Sequence, residues 1–512
     1  MNKLLFVLLI IFAIAAPLAA QNAEKTVNAS PANQSPASQV IDCGCEDKPL
    51  PEILGLVNGV KIARQDLSSE TQTRVEELQR QVIEARQREL DLQIDSILLE
   101  SESKKRGVTA SQIIKDEVIA KVTAPTEAEA QTFYEKNKSN IQGEFKDQKD
   151  NILEFLRYQR QEEQAQKLAE RLRATAQVKV LAKPSAPTSS NADRARVLAV
   201  VNDKQITMGD IENSLRPLIF NIQEQVYALR KQDLELKIND TLLAQQAQKR
   251  GITTRALLDA EVSAKVAPVT DAQAQAFYDE NKERISGEFA QLKTQIVQYM
   301  RERKEQEATL AFAEQLRRAS TIQLNLTAPE SPAFTIATDD QPVKGTANAL
   351  VTIVEFTDFE CPSCARQHPV MERIVSEFGD RVRLVVRDFP LSQHANARKA
   401  AEAAEAAREQ GKYWEYVSVL FRNQSALGAD KLKQYATEIG LDRARFDASL
   451  SSGKFTEKIQ RDVVDGRRLG INGTPTLYIN GKRVADNSYE SLKSAVEAAL
   501  KAQASLRTPN QE

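Results

Sequence analysis

The sequence has few of the residues that usually build disulfide frameworks or metal centres. Its 512 residues include four cysteines, two histidines and one tryptophan. Four cysteines are too few to cross-link a chain of this length, and structural zinc usually needs four protein ligands. The 69 basic residues are balanced by 71 acidic ones, so the chain lacks the basic field that collects on phosphates. We therefore expect no nucleic-acid partner, no metal and no other cofactor.

The N-terminus carries one short apolar segment. Lys3 precedes an unbroken apolar run over residues 4–16, and small residues follow up to Ala20. This order is typical of a secretory signal peptide at 1–20 and predicts a periplasmic or otherwise extracytoplasmic protein. An uncleaved N-terminal membrane anchor is the alternative, although the run is shorter than the ~20 apolar residues that a membrane span needs.

Changes in composition divide the remaining chain. Residues 21–51 are rich in Ala, Ser, Pro, Asn and Gln, and they predict a disordered tether. Pro-containing breaks at 183–194 and 327–333 predict linkers. The predicted domains are two blocks at 52–182 and 195–326, a third block at 334–501, and a short tail at 502–512.

The first two blocks are copies of each other. Asn58 and Asn202 lie 144 positions apart in matching contexts, and the same offset carries Arg106-Gly107 onto Arg250-Gly251 without a gap. Such self-similarity indicates a tandem duplication. Within each copy a short β-like start precedes long polar helices, whose apolar residues recur at helical spacing. Two capping boxes are predicted within these helical parts, at Thr126 with Glu129 and at Thr270 with Gln273.

The third block has a different character. The β-branched runs at 351–356 and 381–386 predict buried strands with a helix between them. Residues 395–469 have a helical pattern, and Thr476 to Ile479 with the turn Asn480-Gly481 predict a hairpin. A closing helix is expected at 489–500. The order indicates an α/β domain with a helical insertion.

The residues best suited to chemistry are Cys361-Pro362-Ser363-Cys364. Cys361 lies at the predicted start of a helix, where backbone N–H groups stabilise an anion. This position lowers the pKa of the Cys361 thiol and makes it the attacking sulfur, while Cys364 lies one turn deeper and can resolve a mixed disulfide. Glu360 opposes thiolate formation electrostatically, so the size of the shift cannot be predicted from the sequence.

Two other interpretations of the cysteine pair remain, half of a zinc site and a structural disulfide. Only His368 and His394 could add histidine ligands, and we expect His368 to be a packed or capping residue.

The second element of interest is Gly473-Thr474-Pro475-Thr476. A proline before a strand cannot donate to the sheet and is usually trans, but its combination with a CxxC pair favours a cis bond.

On these residues, together with the helical insertion, the third block resembles the DsbA-like branch of the thioredoxin superfamily. The resemblance implies a thioredoxin fold, a nucleophile at Cys361 and a resolving thiol at Cys364. It also implies a cis Thr474-Pro475 bond beside the cysteines, with Thr474 offering backbone hydrogen bonds to a bound peptide. Glu355 occupies the place of a buried acid that moves a proton to or from Cys364, and a partly exposed carboxylate at the strand end is the alternative.

The dipeptide Pro362-Ser363 lacks the histidine of the strongest oxidants in that family, which leaves the oxidase or isomerase direction open.

The two copies resemble the N-terminal chaperone module of SurA-type periplasmic folding factors. The shared features are Asn58 and Asn202, the later Asp66 and Asp210, the Leu-Leu helices and the Arg-Gly turns. This second resemblance implies a client-binding or dimerising arm without isomerase activity.

The predicted fold class is multidomain, with two mainly α-helical repeats followed by an α/β thioredoxin fold with a helical insertion. The predicted function is extracytoplasmic thiol-disulfide exchange on unfolded or cysteine-containing protein clients. An external redox partner would regenerate the site, and homo-oligomerisation through the repeats is an option. The alternative is a non-catalytic periplasmic holdase or assembly factor with a structural or vestigial CxxC. A third hypothesis is metal delivery that uses Cys43 and Cys45 together with the CxxC pair.

Overall fold

The computed structural model describes residues 49–141, 143–184, 190–282 and 285–507. The predicted signal peptide, the membrane-anchor alternative, most of the predicted tether and the pair Cys43 and Cys45 lie outside these residues. Among the described helices, none combines the length and apolarity that a membrane span requires. Where they are described, Val82–Asn221 and Glu330–Glu512 form one compact unit, and Cys45–Gln81 and Ile222–Pro329 form another.

The two copies are built from matching elements. The first copy contains β1 (Ile53–Val57), β2 (Val60–Ala63), α1 (Ser69–Arg106), α2 (Ala110–Ile114), α3 (Glu127–Asn137), α4 (Phe145–Ala174) and β3 (Val178–Val180). The second contains α5 (Asn191–Ala195), β4 (Val197–Val201), β5 (Lys204–Thr207), α6 (Met208–Arg250), α7 (Thr254–Leu258), α8 (Asp271–Glu280), α9 (Phe289–Arg318) and β6 (Ile322–Leu324). A π-helical turn follows α2 and α7, at Lys115–Ile119 and Asp259–Ser263.

Both predicted capping boxes are confirmed. The Thr126 side chain accepts from the Glu129 N–H at the start of α3, and the Glu129 carboxylate accepts from the Thr126 N–H. Thr270 and Gln273 make the same reciprocal pair at α8. Each box satisfies N–H groups that have no partner within the helix.

The strand pairing joins segments from different copies. In one unit β4 pairs with β5, its hairpin partner in the second copy, and with β3, the last strand of the first copy. In the other unit β1 pairs with β2, its hairpin partner in the first copy, and with β6, the last strand of the second copy. The predicted bounds 52–182 and 195–326 follow the similarity in sequence, whereas the contacts group each hairpin with a long helix of the other block.

Apolar packing explains this grouping. A two-stranded hairpin cannot bury a face by itself, and the hairpin of the second copy packs through Leu198 and Ile206 on Leu90 and Ile94 of α1. The first hairpin is covered in the same way by α6, in a cluster of Leu54, Val57, Ile62, Leu67, Leu234, Ile238 and Leu242.

The third block forms one mixed sheet with helices. Its elements are β7 (Val343–Lys344), β8 (Val351–Thr357), α10 (Pro362–Phe378), β9 (Val382–Asp388), α11 (Ala397–Arg408), α12 (Tyr413–Arg422), α13 (Ala429–Glu438), α14 (Arg443–Ser451), α15 (Thr456–Arg468), β10 (Thr476–Ile479), β11 (Lys482–Arg483) and α16 (Tyr489–Arg507). The strand order is β11-β10-β8-β9-β7, with β8 and β9 parallel and the other pairs antiparallel.

This arrangement confirms the predicted strands and the predicted hairpin. Helices α11 to α15 form the insertion between β9 and β10. The closing helix extends past residue 500 to Arg507 and so includes part of the predicted tail at 502–512.

Each face of the central strands contacts a different apolar cluster. Val354 and Phe356 of β8 pack with Tyr478 on one face. Ile353 lies on the other face, in the larger cluster that includes Ile374 of α10 and Leu477 of β10. Because strand residues alternate between faces, Glu355 points to the same side as Ile353 and α10.

Candidate active site

The loop between β8 and α10 presents the cysteine pair. Cys361 is the N-cap residue of α10, and Pro362 occupies the first helical turn, where a missing N–H costs nothing. Cys361 is 7% exposed and Cys364 is fully buried one turn further along the helix. Both are free thiols. Pro362 is exposed and Ser363 half-buried at the helix start.

The Thr474-Pro475 segment lies directly against this helix start. The Cys361 thiol donates a hydrogen bond to the Thr474 carbonyl oxygen, with Sγ 3.3 Å from that oxygen. The Thr474-Pro475 peptide bond is cis, as the resemblance implied. Residues 113 positions apart in the chain are therefore in contact, and the strand pair β8 and β10 brings them together.

The two thiols differ sharply in acidity. A hydrogen bond with the Cys364 thiol, helped by the backbone N–H groups of Ser363 and Cys364, lowers the pKa of Cys361 from 9.0 to about 4. Burial opposes this shift but does not cancel it. Burial instead dominates at Cys364, where it raises the pKa of the thiol. The pair thus combines one easily ionised sulfur with one that holds its proton.

Glu355 lies behind the cysteines on the same face of the sheet. Its side chain is 5% exposed, and it sits in register with Leu477 of β10 and Val386 of β9. Burial among these apolar residues raises the pKa of the Glu355 carboxyl to about 7, against a smaller lowering by a hydrogen bond with Thr357. Glu355 also raises the pKa of Cys364 through its charge. The partly exposed alternative for this residue is therefore wrong.

Asp358 organises the active-site loop, and the sequence analysis did not identify it. Its side chain is 1% exposed and accepts from the Glu360 N–H and from the Leu391 N–H, each at 2.8 Å. His394 Nδ1 lies 2.8 Å from the same carboxylate. The Asp358 carbonyl accepts from the Cys361 N–H at 3.1 Å. One buried carboxylate thus ties the loop before Cys361 to the loop after β9.

A second unpredicted residue, Gln424, holds the loop from the helical insertion. Its side-chain amide donates to the carbonyl oxygens of Phe359 at 2.9 Å and Cys361 at 2.8 Å. Glu360 is engaged elsewhere, because its carboxylate accepts from the Asn396 N–H at 2.7 Å and from Asn396 Nδ2 at 2.8 Å. These contacts fix the backbone on both sides of the nucleophile.

His368 is a packed residue, as expected. Its ring stacks on Phe421 with 5.0 Å between centroids, and Nε2 lies 3.3 Å from the Ser418 hydroxyl. Burial lowers the pKa of His368. Within residues 49–507, so far as they are described, no group of three or more His, Cys, Asp or Glu side chains could hold a metal ion.

A buried ionic network lies at the end of β9. Lys458 Nζ is 3.0 Å from Glu405, 3.1 Å from Asp462 and 3.6 Å from Asp388. Arg387 pairs with Asp462 at 2.6 Å. Burial raises the pKa of the Asp388 carboxyl to about 8, against the lowering effect of Lys458. This network binds α11 and α15 to the sheet, and no local sequence pattern signals it.

Residues 337–498 match the family model described as Thioredoxin. This part of the chain is a thioredoxin-superfamily domain. Two curated relatives are the Na(+)/H(+) antiporter NhaA of Herminiimonas arsenicoxydans, 38% identical over 160 residues, and NhaA 3 of Salinispora tropica, 39% identical over 171 residues. The matches cover 31% and 33% of this chain, but the chain spans only 25% and 26% of those proteins.

Solved structures are also similar to about a third of the chain. BdbD from Bacillus subtilis is 25% identical, with 34% of this chain and all of that chain covered and a TM-score of 0.32. A thioredoxin-like oxidoreductase from Silicibacter pomeroyi is 31% identical, with 32% of this chain and 94% of that chain covered and a TM-score of 0.30.

The thioredoxin domain brings most of the predicted site residues together. Thr474 lies within hydrogen-bond distance of Cys361, and its neighbour Pro475 completes the cis bond. Glu355 acts electrostatically on Cys364. Pro362 and Ser363 form the first turn of α10 and shape its start.

Proposed function

We propose that this protein is a thiol-disulfide oxidoreductase that acts on protein cysteines through Cys361 and Cys364. The observation that supports this most directly is the position of Cys361 at the start of α10, beside the Thr474 carbonyl oxygen and one turn before the buried Cys364, where the pKa of the first thiol is lowered and that of the second is raised. A thiolate is both the nucleophile and the better leaving group in disulfide exchange. A purely structural disulfide or a vestigial motif has no need for such a difference.

In the proposed cycle the Cys361-Cys364 disulfide accepts two electrons from a client. A client thiolate attacks Cys361 Sγ, the sulfur-sulfur bond to Cys364 breaks, and Cys364 leaves as a thiolate that takes up a proton. A second client thiolate then attacks the client sulfur of the mixed disulfide and releases Cys361 as a thiolate. The client gains a disulfide, and an external oxidant removes the two electrons from the thioredoxin domain.

Glu355 is the proposed proton donor and acceptor for Cys364 in this cycle. A carboxyl with a pKa of about 7 exists in both protonation states at neutral pH, which suits proton transfer in either direction. Glu355 and Cys364 are both buried on the same side of the sheet, which keeps bulk water from taking the place of Glu355 as the proton donor and acceptor. Thr474, whose carbonyl contacts Cys361, is proposed to pair with the backbone of a bound client.

We infer the oxidising direction from the low pKa of Cys361. A group that stabilises the Cys361 thiolate stabilises the reduced protein, and it therefore raises the reduction potential of the pair. The proposed location is periplasmic or otherwise extracytoplasmic, where disulfides persist. The helical repeats are proposed to hold unfolded clients and to mediate self-association.

Oxidation of a reduced dithiol client peptide to its disulfide by this protein tests the proposal. The Cys361→Ser variant should lose oxidation entirely. When Cys364→Ser is offered the disulfide form of the peptide instead, the Cys361 thiolate should attack it, release one peptide thiolate and accumulate a mixed disulfide that survives non-reducing electrophoresis. Client binding should persist in both variants. If Cys361→Ser supported client folding as well as the unchanged protein does, the protein would be a non-catalytic holdase or assembly factor instead.

A further inference from the structure

The two copies differ where α6 carries a short apolar patch. Pro217, Phe220 and Asn221 of α6 correspond, at the offset of 144 positions, to Thr73, Glu76 and Glu77 of α1. Phe220 and Asn221 are 4% and 9% exposed. Their three counterparts in the first copy are all polar, and Thr73 and Glu77 are exposed. The two helices therefore differ in burial at these matching positions.

This face of α6 contacts the turn that follows α15 in the same compact unit. The Asn221 side-chain amide donates to the Gly470 carbonyl oxygen at 2.9 Å. A Cβ atom added to Gly470 would lie 3.1 Å from the Pro217 carbonyl oxygen and 3.4 Å from Asn221 Cβ. Gly470 also has a φ of +73°, so both the backbone conformation and the close approach require glycine.

Aromatic rings continue the contact into the thioredoxin domain. The Phe220 ring lies 6.3 Å from that of Phe334, and the Phe334 ring lies 6.1 Å from that of Tyr478 in β10. The Tyr478 hydroxyl donates to the Leu469 carbonyl oxygen at 3.5 Å. The Phe334 N–H donates to the Gly481 carbonyl oxygen at 2.9 Å. The helix therefore contacts the turn directly and reaches β10 through one tilted and one edge-on ring contact.

The contacted turn leads directly to the active site. The Ile471 N–H donates to the Gly466 carbonyl oxygen at 3.0 Å and closes the end of α15. Thr474 follows Gly470 by four residues, and its carbonyl oxygen is 3.3 Å from Cys361 Sγ. Beyond it, Thr476 begins β10. Helix α6 thus contacts the turn before the Thr474-Pro475 loop directly, and it reaches the strand after the loop through Phe334.

We propose that Pro217, Phe220 and Asn221 of α6 form a positioning element that holds the Thr474-Pro475 loop against Cys361. Helix α6 and the thioredoxin domain are then linked by direct contact at Gly470 and Phe334, and α6 tunes how the site receives a client. This inference rests on the proposed exchange activity for its catalytic readout. The role is distinct from client holding, because it acts through the geometry of the loop.

The test uses the full chain with Asn221→Asp, which keeps the side-chain shape but replaces the donor to Gly470 with an oxygen. Glu77→Gln is the matched control, because Glu77 is the counterpart residue in the first copy. In Asn221→Asp the KM for a dithiol client peptide should rise roughly 2- to 10-fold, the factor that corresponds to one hydrogen bond. Amide hydrogen exchange at residues 473–477 should quicken by a similar factor. Glu77→Gln should change neither.

Phe220→Leu serves as a second variant should Asn221→Asp not fold, because it keeps an apolar side chain and loses only the ring contact. Unchanged KM and unchanged exchange at 473–477 in a folded variant would overturn the positioning role. If the protein without any substitution showed no thiol-disulfide exchange, the proposed function would be overturned instead. In that case the hydrogen-exchange comparison would still decide whether α6 holds the loop.

Discussion

Replacing Glu355 with glutamine should change how stability depends on pH. The folded protein raises the pKa of Glu355 from 4.5 to about 7 because the carboxyl is buried. Folding therefore disfavours the ionised form, and the penalty is absent well below pH 4.5. It grows as the pH rises from 4.5 to 7 and is fully present above 7. Glutamine does not ionise and escapes this penalty.

The magnitude follows from the two pKa values. A shift of 4.5 to about 7 corresponds to about 3 kcal/mol at high pH, of which less than ~1 kcal/mol is already present at pH 5. The glutamine variant should therefore gain about 2 to 3 kcal/mol relative to the unchanged protein between pH 5 and pH 8.5. Any fixed cost of the substitution cancels in this difference.

Urea denaturation of the reduced proteins at both pH values measures this difference. The probe is the fluorescence of Trp414, the single tryptophan of the chain, which lies in the thioredoxin domain. Glu415→Gln is a matched control, since Glu415 is exposed in the first turn of α12 rather than buried in the core. A parallel pH dependence in Glu355→Gln and the unchanged protein would refute the raised pKa and, with it, the proposed proton transfer to Cys364.

Three further outcomes are expected. Titration of thiolate absorbance should show Cys361 ionising near pH 4, and a midpoint near pH 9 would contradict the stabilisation at the helix start. Lys458→Met should cost about 3 kcal/mol of unfolding free energy at pH 8, because it removes the cation that lies between the buried Asp388 and Glu405 carboxyl groups; an unchanged midpoint would show that the network is neutralised in another way. Gly466→Ala would place a Cβ 2.6 Å from the Phe389 ring and should destabilise the domain by about 1 to 3 kcal/mol. Gly428→Ala, with nothing within 4 Å of its added Cβ, should be tolerated, and equal stability of the two variants would argue against tight packing there.

Local signals predicted much of the fold. The runs at 351–356 and 381–386 became β8 and β9 because β-branched residues suit a strand that is buried on both faces. The capping threonines located the starts of α3 and α8 because their partners lie only three residues away. Cys361 was placed correctly at the start of α10 for the same reason. Each of these predictions needed only neighbours in sequence.

Long-range pairing could not be predicted in this way. The grouping of each hairpin depends on which of the two long helices covers it, and the apolar residues that do so, Leu90 and Ile94 in α1 and Leu234 and Ile238 in α6, recur at the same spacing in both. Gln424 lies 63 residues after the Cys361 carbonyl that it contacts, and no motif marks it. Asp358 was visible as an acid near the cysteines, but its partners, Leu391 and His394, are supplied by another loop.

The acidic neighbours of Cys361 show why distance in sequence misleads about electrostatics. Asp358 and Glu360 lie within three residues of the sulfur, and both would oppose a thiolate if their charge faced it. The structure directs both carboxylates to donors on the loop after β9, where Asp358 accepts from the Leu391 N–H and Glu360 accepts twice from Asn396. The groups that lower the pKa of Cys361 are instead the Cys364 thiol, Thr474 and the N–H groups of the first turn. The acidity of Cys361 is therefore set by hydrogen bonds within its own helical turn and with Thr474, and the nearby acids serve to hold that turn in place.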